Sequence, residues 1–342
     1  MHVTVRRVPA EFTSIQAAVE ASGPGDTIRV AGGIYGESVT IGPDKDGLAI
    51  IGSGRENVIL QGEGTGVGIT IGGSSRVTVA GISVTGFAVG ILVETRENVI
   101  RNVAVTGSGQ SGIRVTGTRN MFYRVSSSRS GESGIQLLGF FNFVVNSEFA
   151  DNRDGIEMRG GTNFTYGNRA SGSVAGLTAF ENNPYAIANH LVGNVRGLNV
   201  TTSGGSTVIG NVLMRNTQAG ANLLNLGGGL VLANEATCNR EQGIRVVIGS
   251  FVKLLFNEIE NNGMQGIDLQ SDFCIVDDNE IEDSGAAGIR LTSDASGNLV
   301  RRNELKRNAP DIEVLAPPGA NPDIDENECE TSIPAGLCPC DD

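Results

Sequence analysis

The chain has 342 residues, among them 49 glycines, with 5% aromatic residues and no tryptophan. This composition fits many tight turns around a thin core of small aliphatic side chains, and it excludes a deep aromatic core. The formal net charge of −13 argues against nucleic acid as a partner, because a protein that grips phosphates needs a basic surface.

The opening residues MHVTVRRVPAEF contain two arginines, but no apolar run of the length that a secretory signal requires follows them. No later segment is long and apolar enough to be a membrane span. The sequence therefore predicts no signal peptide and no membrane span, and it leaves the cell location open.

A short amphipathic helix is predicted over residues 13–21, opened by a capping box of Thr13 with Gln16. This helix would cover the open end of a sheet that starts near residue 25. Residues 1–46 are therefore interpreted as an N-terminal cap helix and a first coil.

A glycine followed by an aliphatic residue then returns about every 22 residues, and this period predicts the architecture. The pairs are Gly47-Leu48, Gly68-Ile69, Gly90-Ile91, Gly112-Ile113, Gly134-Ile135, Gly155-Ile156, Gly176-Leu177, Gly197-Leu198, Gly220-Ala221, Gly243-Ile244, Gly266-Ile267 and Gly288-Ile289. Units this small must stack to bury an apolar face. With three short strands in each unit, residues 47–328 predict an all-β parallel solenoid of about 12 to 13 coils.

Asparagine forms a ladder at the predicted bend between the second and third strands of each coil. Its members are Asn102, Asn146, Asn168, Asn189, Asn211, Asn234, Asn257, Asn279, Asn303 and Asn327. Asparagine suits a bend because it tolerates left-handed backbone angles and its amide bonds to the equivalent residue of the next coil. A shorter ladder at the first corner consists of Asn98, Asn120, Asn142 and Asn163.

The cysteines fall into two groups. Cys238 and Cys274 are interpreted as small buried side chains. Cys329, Cys338 and Cys340 lie in a tail, residues 329–342, and are candidates for a disulfide that caps the chain or for a covalent tether between chains in a homo-oligomer. No histidine is close to them, so no metal site is predicted.

Apolar residues share one position on successive coils, namely Met121, Phe143, Phe164 and Tyr185. Stacked rows of this kind are common in solenoid cores, so we expect an interior row. The alternative is an exposed strip for sugar stacking.

The repeats resemble the right-handed parallel β-helix superfamily, which has the pectate-lyase-like fold. The stretch from Ile15 through Gly25 and Ile28 to Ile41 is similar to the N-terminal cap and first coil of such proteins. The repeats are similar to the carbohydrate-binding and sugar-hydrolysis domain of polysaccharide epimerases and lyases. This resemblance implies a right-handed helix of three sheets, with any active or binding face on the first sheet, and together with the terminal cysteines it favours a surface-associated or extracellular location.

Charged residues at the middle of the predicted first sheet form the candidate catalytic site: Glu157, Arg159, Asp154 and Arg114. A carboxylate beside an arginine is the minimum for removing a sugar C5 proton while neutralising the uronate carboxyl group, a task that Ca²⁺ would share in a lyase. Gln136, Asp151 and Phe180 are the candidate carbohydrate contacts. The alternative is that Glu157 and Arg159 form a solvated ion pair.

A second set of charges, Arg245, Asp268, Arg290 and Glu313, alternates in sign at one position of consecutive coils. Opposite charges in register stabilise a sheet, so we interpret this set as a structural ladder.

Two functions follow. The first is a non-catalytic or carbohydrate-contacting scaffold, a surface-associated structural or binding protein with a polysaccharide partner and no cofactor. The second is a polysaccharide lyase or epimerase that acts on a uronate-containing polysaccharide at the first sheet. The regular repeat favours the first, because an active site normally disrupts a repeat. Whether the chain is an enzyme stays open.

Overall fold

The computed structural model describes residues 3–180, 183–202, 204–321 and 323–338. It divides into two compact units, residues 1–169 and 170–342. In each unit, short strands stack in parallel and in register to form three rows. We call them the first, second and third rows, in the order in which the chain visits them after each Gly-aliphatic pair from Gly68-Ile69 onward. Gly47-Leu48 is an exception, because the strand that follows it, Ala49–Gly52, pairs with second-row strands. The predicted all-β parallel solenoid is confirmed.

The helix of the N-terminal cap spans Ile15–Ala21. Its N-cap is Ser14, whose hydroxyl accepts a hydrogen bond from the Ala17 N–H at 3.1 Å. Glu37 accepts two further bonds, from the Ile15 N–H at 2.8 Å and the Gln16 N–H at 2.9 Å. The predicted capping box that starts at Thr13 is wrong, because a carboxylate from the first coil satisfies the free N–H groups of the helix.

The first unit contains the following strands. The first row consists of Val39–Ile41, Val67–Ile71, Val89–Val93, Ile113–Val115, Ser133–Leu137 and Asp154–Met158. The second row consists of Val5–Val8, Thr27–Val30, Ala49–Gly52, Thr78–Ala80, Val99–Arg101, Met121–Tyr123, Phe143–Val145 and Phe164–Tyr166. The third row consists of Gly33–Tyr35, Val58–Gln61, Ser83–Thr85, Ala104–Thr106, Ser126–Ser128 and Glu148–Ala150.

The second unit repeats this arrangement. Its first row consists of Ala175–Phe180, Arg196–Thr201, Ala221–Leu224, the start of Ile244–Leu255, Ile267–Asp272, Ile289–Leu291, Ile312–Val314 and Ser332–Ile333. Its second row consists of Tyr185–Ile187, Thr207–Ile209, Gly227–Leu232, the end of Ile244–Leu255, Ile275–Asp277, Leu299–Arg301 and Asp323–Asp325. Its third row consists of Arg169–Ser171, His190–Val192, Val212–Met214, Glu235–Thr237, Glu258–Glu260, Glu280–Glu282 and Glu304–Lys306.

The core consists of columns of aliphatic side chains that point inward from the rows. In the first unit, Ile91, Ile113 and Ile135 are opposite one another on successive strands, and each is fully buried. Burying one such side chain stabilises the fold by about 1.5–3 kcal/mol. The repeated isoleucine of the sequence period is therefore the main source of apolar burial.

At most first-row strands, the glycine that precedes the aliphatic residue is required by close packing. At Gly90, a Cβ atom would collide with the Val105 side chain and would lie 2.6 Å from the carbonyl oxygen of Gly112. At Gly220, a Cβ atom would lie 2.7 Å from the carbonyl oxygen of Gly243. The period therefore marks the corner where the third row approaches the next first-row strand.

The bend between the second and third rows uses two neighbouring positions. The first takes a positive φ and holds varied residues, including Asn102 and Asn146 (φ 51° and 48°). The second holds the ladder that begins with Asn168, in which Asn211 donates to Asn234 and Asn234 donates to Asn257, at 2.9 Å each. Asn102 and Asn146 do not belong to this ladder, because they lie one position earlier.

Two further corners carry asparagine ladders. At the first corner, Asn98, Asn120 and Asn142 form a hydrogen-bonded chain in which each amide donates to the next at 2.9 and 3.1 Å. At the third corner, Asn216 donates to Asn239 at 2.9 Å and Asn239 to Asn262 at 3.0 Å. The sequence analysis missed this third ladder.

The described cysteines agree with the expectation except for Cys238. Cys329 and Cys338 form a disulfide bond, and Cys340 lies outside the described residues. Cys274 is buried as expected, but Cys238 is exposed because it occupies a turn with φ of 56°. Among the described residues, no helix has the length and apolar character that crossing a membrane requires.

The buried asparagine ladder provides a stability prediction. Asn234→Ala would remove the acceptor of the Asn211 backbone N–H and the donor to the Val208 carbonyl. Because these groups are buried, we expect the free energy of unfolding to fall by about 3 kcal/mol. Urea denaturation followed by circular dichroism measures the change.

Asn261→Ala is the matched control, because Asn261 is exposed and has a φ of 53° in the same unit. It should cost about 1 kcal/mol, the penalty for alanine in a left-handed conformation. Equal losses in the two variants would contradict a role for the ladder beyond the turn geometry.

Candidate functional site

Three of the predicted residues lie side by side on the first row of the first unit. The register places Arg114 opposite Gln136 and Gln136 opposite Glu157. The Arg114 Nε donates to the Gln136 Oε1 at 3.1 Å, and the Gln136 Nε2 donates to the Glu157 Oε2 at 2.8 Å. These side chains form a continuous hydrogen-bonded line across three coils.

Glu157 is the central acceptor of this line. Its side chain is 5% exposed, and its Oε1 accepts a bond from the Arg159 Nε at 2.5 Å. Its Oε2 also accepts a bond from the Ser133 hydroxyl at 2.5 Å. Burial by itself raises the pKa of this carboxyl group, but the hydrogen bonds and the nearby guanidinium outweigh burial and hold the pKa of Glu157 below its ordinary value.

Two polar partners of the line were not predicted from the sequence. Ser133 binds Glu157, and Glu132 accepts a bond from the Arg114 guanidinium at 3.0 Å. Ser133 and Glu132 come one and two residues before Gly134, and the candidates named from before a glycine were Asp154 and Asp151 of the following coil only. Reading the outward positions on both sides of the glycine would have found Ser133.

The remaining predicted site residues are Asp154, Asp151 and Phe180. Asp154 begins the same strand as Glu157 and pairs with Arg153 at 3.8 Å. Asp151 is exposed in the preceding turn, with a φ of 55°. Phe180 ends the strand Ala175–Phe180, which belongs to the second unit.

Alternating charges on the first row of the second unit surround a buried carboxylate. Asp268 has no exposed side-chain surface, and its Oδ1 lies 2.8 Å from the Arg290 Nε. Its Oδ2 lies 3.6 Å from the Arg245 Nε and accepts a bond from Gln270 at 2.8 Å. Glu313 is opposite Arg290 in the register.

A polar groove of about 320 Å³ opens on this row, and we call it the first-row groove. It is lined by Arg196, Asn199, Gln218, Ala219, Asn222, Leu224, Glu241, Gln242 and Arg245. The Arg196 Nε donates to Gln218 at 2.8 Å. Asn222 donates to Asn199 at 3.0 Å, but its own Oδ1 is buried and finds no hydrogen-bond partner among the described residues.

Carboxylates that could approach a metal ion lie on the third row of the second unit. Oxygen atoms of Glu280, Glu282 and Glu304 lie within 4.8 Å of one another. Lys306 contacts Glu304 and lies 3.7 Å from Glu282, so an ammonium group already neutralises part of this charge. These glutamates lie on the third row, whereas the candidate catalytic residues, near which a lyase would hold Ca²⁺, were predicted on the first row.

The predicted interior row of aromatic residues is wrong for the first unit. Met121 and Phe143 are 42% and 37% exposed, and Phe143 stacks on Phe164 with ring centroids 4.9 Å apart. The inward position of the second row belongs instead to the middle residue of each strand, such as Phe122 and Val144, which are fully buried. In a strand of three residues, the two ends point outward together.

Comparisons with known proteins agree on the fold. A family model described as the right handed beta helix region matches residues 67–213 and 133–305, more than half of the chain. No curated protein matches the sequence.

The solved structures similar to this one include an epimerase, a lyase and a glucanase. The A-module of the mannuronan C-5 epimerase AlgE4 from Azotobacter vinelandii has 16% identity and a TM-score of 0.52, over 97% of this chain and 91% of that one. The alginate lyase AlyF-OU02, in complex with G6, has 10% identity and a TM-score of 0.64, over 91% and 87%. The catalytic domain of a GH87 α-1,3-glucanase has 12% identity and a TM-score of 0.60, over 98% and 67%. At these identities the likeness establishes the fold, and with the family model it confirms the predicted right-handed parallel β-helix.

The lowered pKa of Glu157 predicts how its contribution to stability depends on pH. Because the folded-state pKa lies below the ordinary value of 4.5, the ionised carboxylate stabilises the fold above that pH, and this stabilisation is lost as the pH falls through the folded-state pKa. Glu157→Gln should lower the free energy of unfolding by about 2 kcal/mol at neutral pH. The difference from the native chain should shrink toward about pH 3, as measured by thermal unfolding at both pH values.

Glu132→Gln serves as the control, because the Glu132 side chain is 40% exposed while bonded to Arg114. We expect it to cost less than about 1 kcal/mol. An effect of Glu157→Gln that is the same at both pH values would contradict the electrostatic explanation.

Proposed function

We propose that this chain, which belongs to the right-handed β-helix family, is a carbohydrate-contacting scaffold that binds a polysaccharide without cleaving it. The proposal rests on the first-row groove, where guanidinium and amide groups line a recess of about 320 Å³. The relatives named as an epimerase, a lyase and a glucanase support carbohydrate as the class of ligand.

The groups in the groove suit a ligand that carries many hydroxyl groups. Asparagine and glutamine side chains both donate and accept hydrogen bonds, as sugar hydroxyls do. The buried Asn222 Oδ1, which has no partner among the described residues, would accept a bond from such a hydroxyl. Arg196 and Arg245 add donors at opposite sides of the set.

The carboxylates of the first row favour binding over cleavage. Both oxygens of Glu157 already accept hydrogen bonds, and its lowered pKa makes it a weak proton acceptor. Asp268 is fully buried between two arginines. Hydrolysis of a glycosidic bond ordinarily needs two carboxylates that face the substrate, and the lining of the groove contains one, Glu241.

Glu241 supports the alternative function, a polysaccharide lyase or epimerase that acts on a uronate. It lines the same groove as Arg245, so a base and a group that neutralises a carboxylate are available to one ligand. This pair would replace Glu157 and Arg159 in the role that the sequence suggested.

A surface-associated or extracellular location belongs to the same proposal. The Cys329–Cys338 disulfide suits an oxidising compartment. Because Cys329 and Cys338 pair with each other, we assign the proposed covalent tether, or the disulfide of a homo-oligomer, to Cys340. Sedimentation with and without a reductant would test the tether.

Arg196→Ala should weaken binding to the polysaccharide. The native chain should be retarded in affinity electrophoresis by at least one polymer from a panel of neutral and uronate polysaccharides. Loss of the Arg196 donors should weaken the retardation at least about tenfold. Arg215→Ala removes the same charge from an exposed turn of the same unit and should leave binding unchanged.

The same panel separates binding from catalysis. We expect no unsaturated product in ultraviolet absorbance, no new reducing ends, and no change in uronate configuration by NMR. A product that disappears in Glu241→Gln would establish the alternative function, and equal binding by both arginine variants would reject the groove.

A further inference from the structure

Two phenylalanines are exposed at the corner between the first and second rows of the second unit. Phe251 and Phe273 occupy successive coils and are 64% and 55% exposed. Their rings stack, with centroids 5.6 Å apart and planes 15° apart. Both residues have a positive φ, so the turn holds two large rings in water where smaller residues would cost less strain.

One face of this stacked pair is covered and the other is open. On one side, a Cβ atom at Gly297 would lie 2.6 Å from the ring of Phe273, so the Gly297 backbone covers that face. On the other side, the register places Gly228 before Phe251. A Cβ atom at Gly228 would meet no side chain within 4 Å, so the position that precedes Phe251 in this column carries no side chain and has open space around it.

The aromatic pair of the first unit differs at this point. Phe143 and Phe164 also stack, but Met121 is opposite Phe143 in the preceding coil. A methionine side chain therefore occupies the position that Gly228 leaves open beside Phe251. Of these two pairs, only the pair in the second unit has a glycine on each side of the stacked rings.

A polar groove of about 700 Å³, which we call the corner groove, is lined by the residues that lead into the two phenylalanines along the chain. Ser250 and Asp272 line it, and they immediately precede Phe251 and Phe273 in the sequence. The rest of the lining includes Gln270, Thr292, Ser293 and Asp294, and no lysine or arginine is part of it. The groove thus offers hydroxyl, amide and carboxylate groups and repels anions.

We propose that the corner groove and Phe251 form a second carbohydrate site, which takes a neutral oligosaccharide with one sugar ring stacked on Phe251 above Gly228. The C–H groups of a sugar ring fit the negative face of an aromatic ring, and the sugar hydroxyls fit the polar lining. Uronates and nucleotides are disfavoured by Asp272 and Asp294. The site is independent of the first-row groove and does not require it to bind.

Because the chain has no tryptophan, Phe251→Trp places a single reporter at the site. The probes are cellohexaose, mannohexaose and laminarihexaose, with hexagalacturonate as the acidic counterpart. Emission of the Phe251→Trp protein should change saturably with at least one neutral probe and not with hexagalacturonate. Phe256→Trp is the matched control, because Phe256 is 59% exposed with a φ of 52° in the same unit but lies at the bend between the second and third rows, not at the corner between the first and second.

Calorimetry on chains without the reporter provides a second readout. With the neutral probe that responds, Phe251→Ala should weaken binding about tenfold, whereas Phe251→Tyr and Phe256→Ala should leave it within about twofold. Arg196→Ala should leave this site intact, so failure of the first-row groove and failure of the corner site are distinguishable. Circular dichroism checks that each variant is folded.

Three results would overturn the proposal. The first is no saturable emission change with any neutral probe up to about 10 mM, a limit beyond which binding is weaker than about 3 kcal/mol. The second is an equal response from Phe256→Trp. The third is concentration-dependent self-association that Phe251→Ala abolishes, because a second copy of the chain would then be the occupant of the ring face.

Discussion

Parallel stacking in register is the constraint on which the other features of each unit depend. A residue meets its equivalent in the next coil at about 4.8 Å, so every coil position is repeated as a column. An asparagine column satisfies this constraint, because each amide donates to one neighbour and accepts from the other, as in Asn211, Asn234 and Asn257. A column of glutamates does not satisfy this constraint, because like charges are brought close together. Burial and, after it, the surrounding glutamates raise the pKa of Glu258.

The same constraint explains why charged residues of the first row are poor evidence for catalysis. A carboxylate in a column is next to whatever its neighbouring coils present: Asp268 lies between arginines of the two adjacent coils, whereas Glu157 is bonded to Gln136 of the preceding coil and to Arg159, two residues along the chain. Such pairing buries the carboxylate and uses its oxygens as acceptors, which holds the rows together and removes the free base that proton abstraction needs. Groups that could bind a ligand are more available where amide side chains replace charged ones, as in the first-row groove. They are also more available where a glycine interrupts a column, as at Gly228.

The sequence predicts the register of the rows better than the geometry of the corners. The Gly-aliphatic period correctly placed Arg114, Gln136 and Glu157 on neighbouring coils, since register follows from spacing alone. It placed Asn102 and Asn146 in the ladder column, although they lie one position earlier, at the left-handed position of the bend. That position takes several residue types, including Arg124 and Phe256, so an asparagine there cannot be told from a ladder asparagine by residue type. Ser133 and the open face of Phe251 depend on three-dimensional contacts between coils, which residue types at one position do not reveal.

The distribution of charge decides between classes of polysaccharide. Residues 1–169 contain 15 basic and 15 acidic side chains, whereas residues 170–342 contain 10 basic and 23 acidic ones, so the whole net charge of −13 belongs to the unit that holds both grooves. Of the two arginines in the first-row groove, Arg245 is already compensated by Asp268. A polyanion approaching this unit meets repulsion at distances near the Debye length of about 8 Å, and the groove has little uncompensated positive charge to offset it. For the two proposed sites, the electrostatics therefore favour neutral polymers over polyanions, and the proposed role of the arginines is to donate hydrogen bonds to hydroxyl groups.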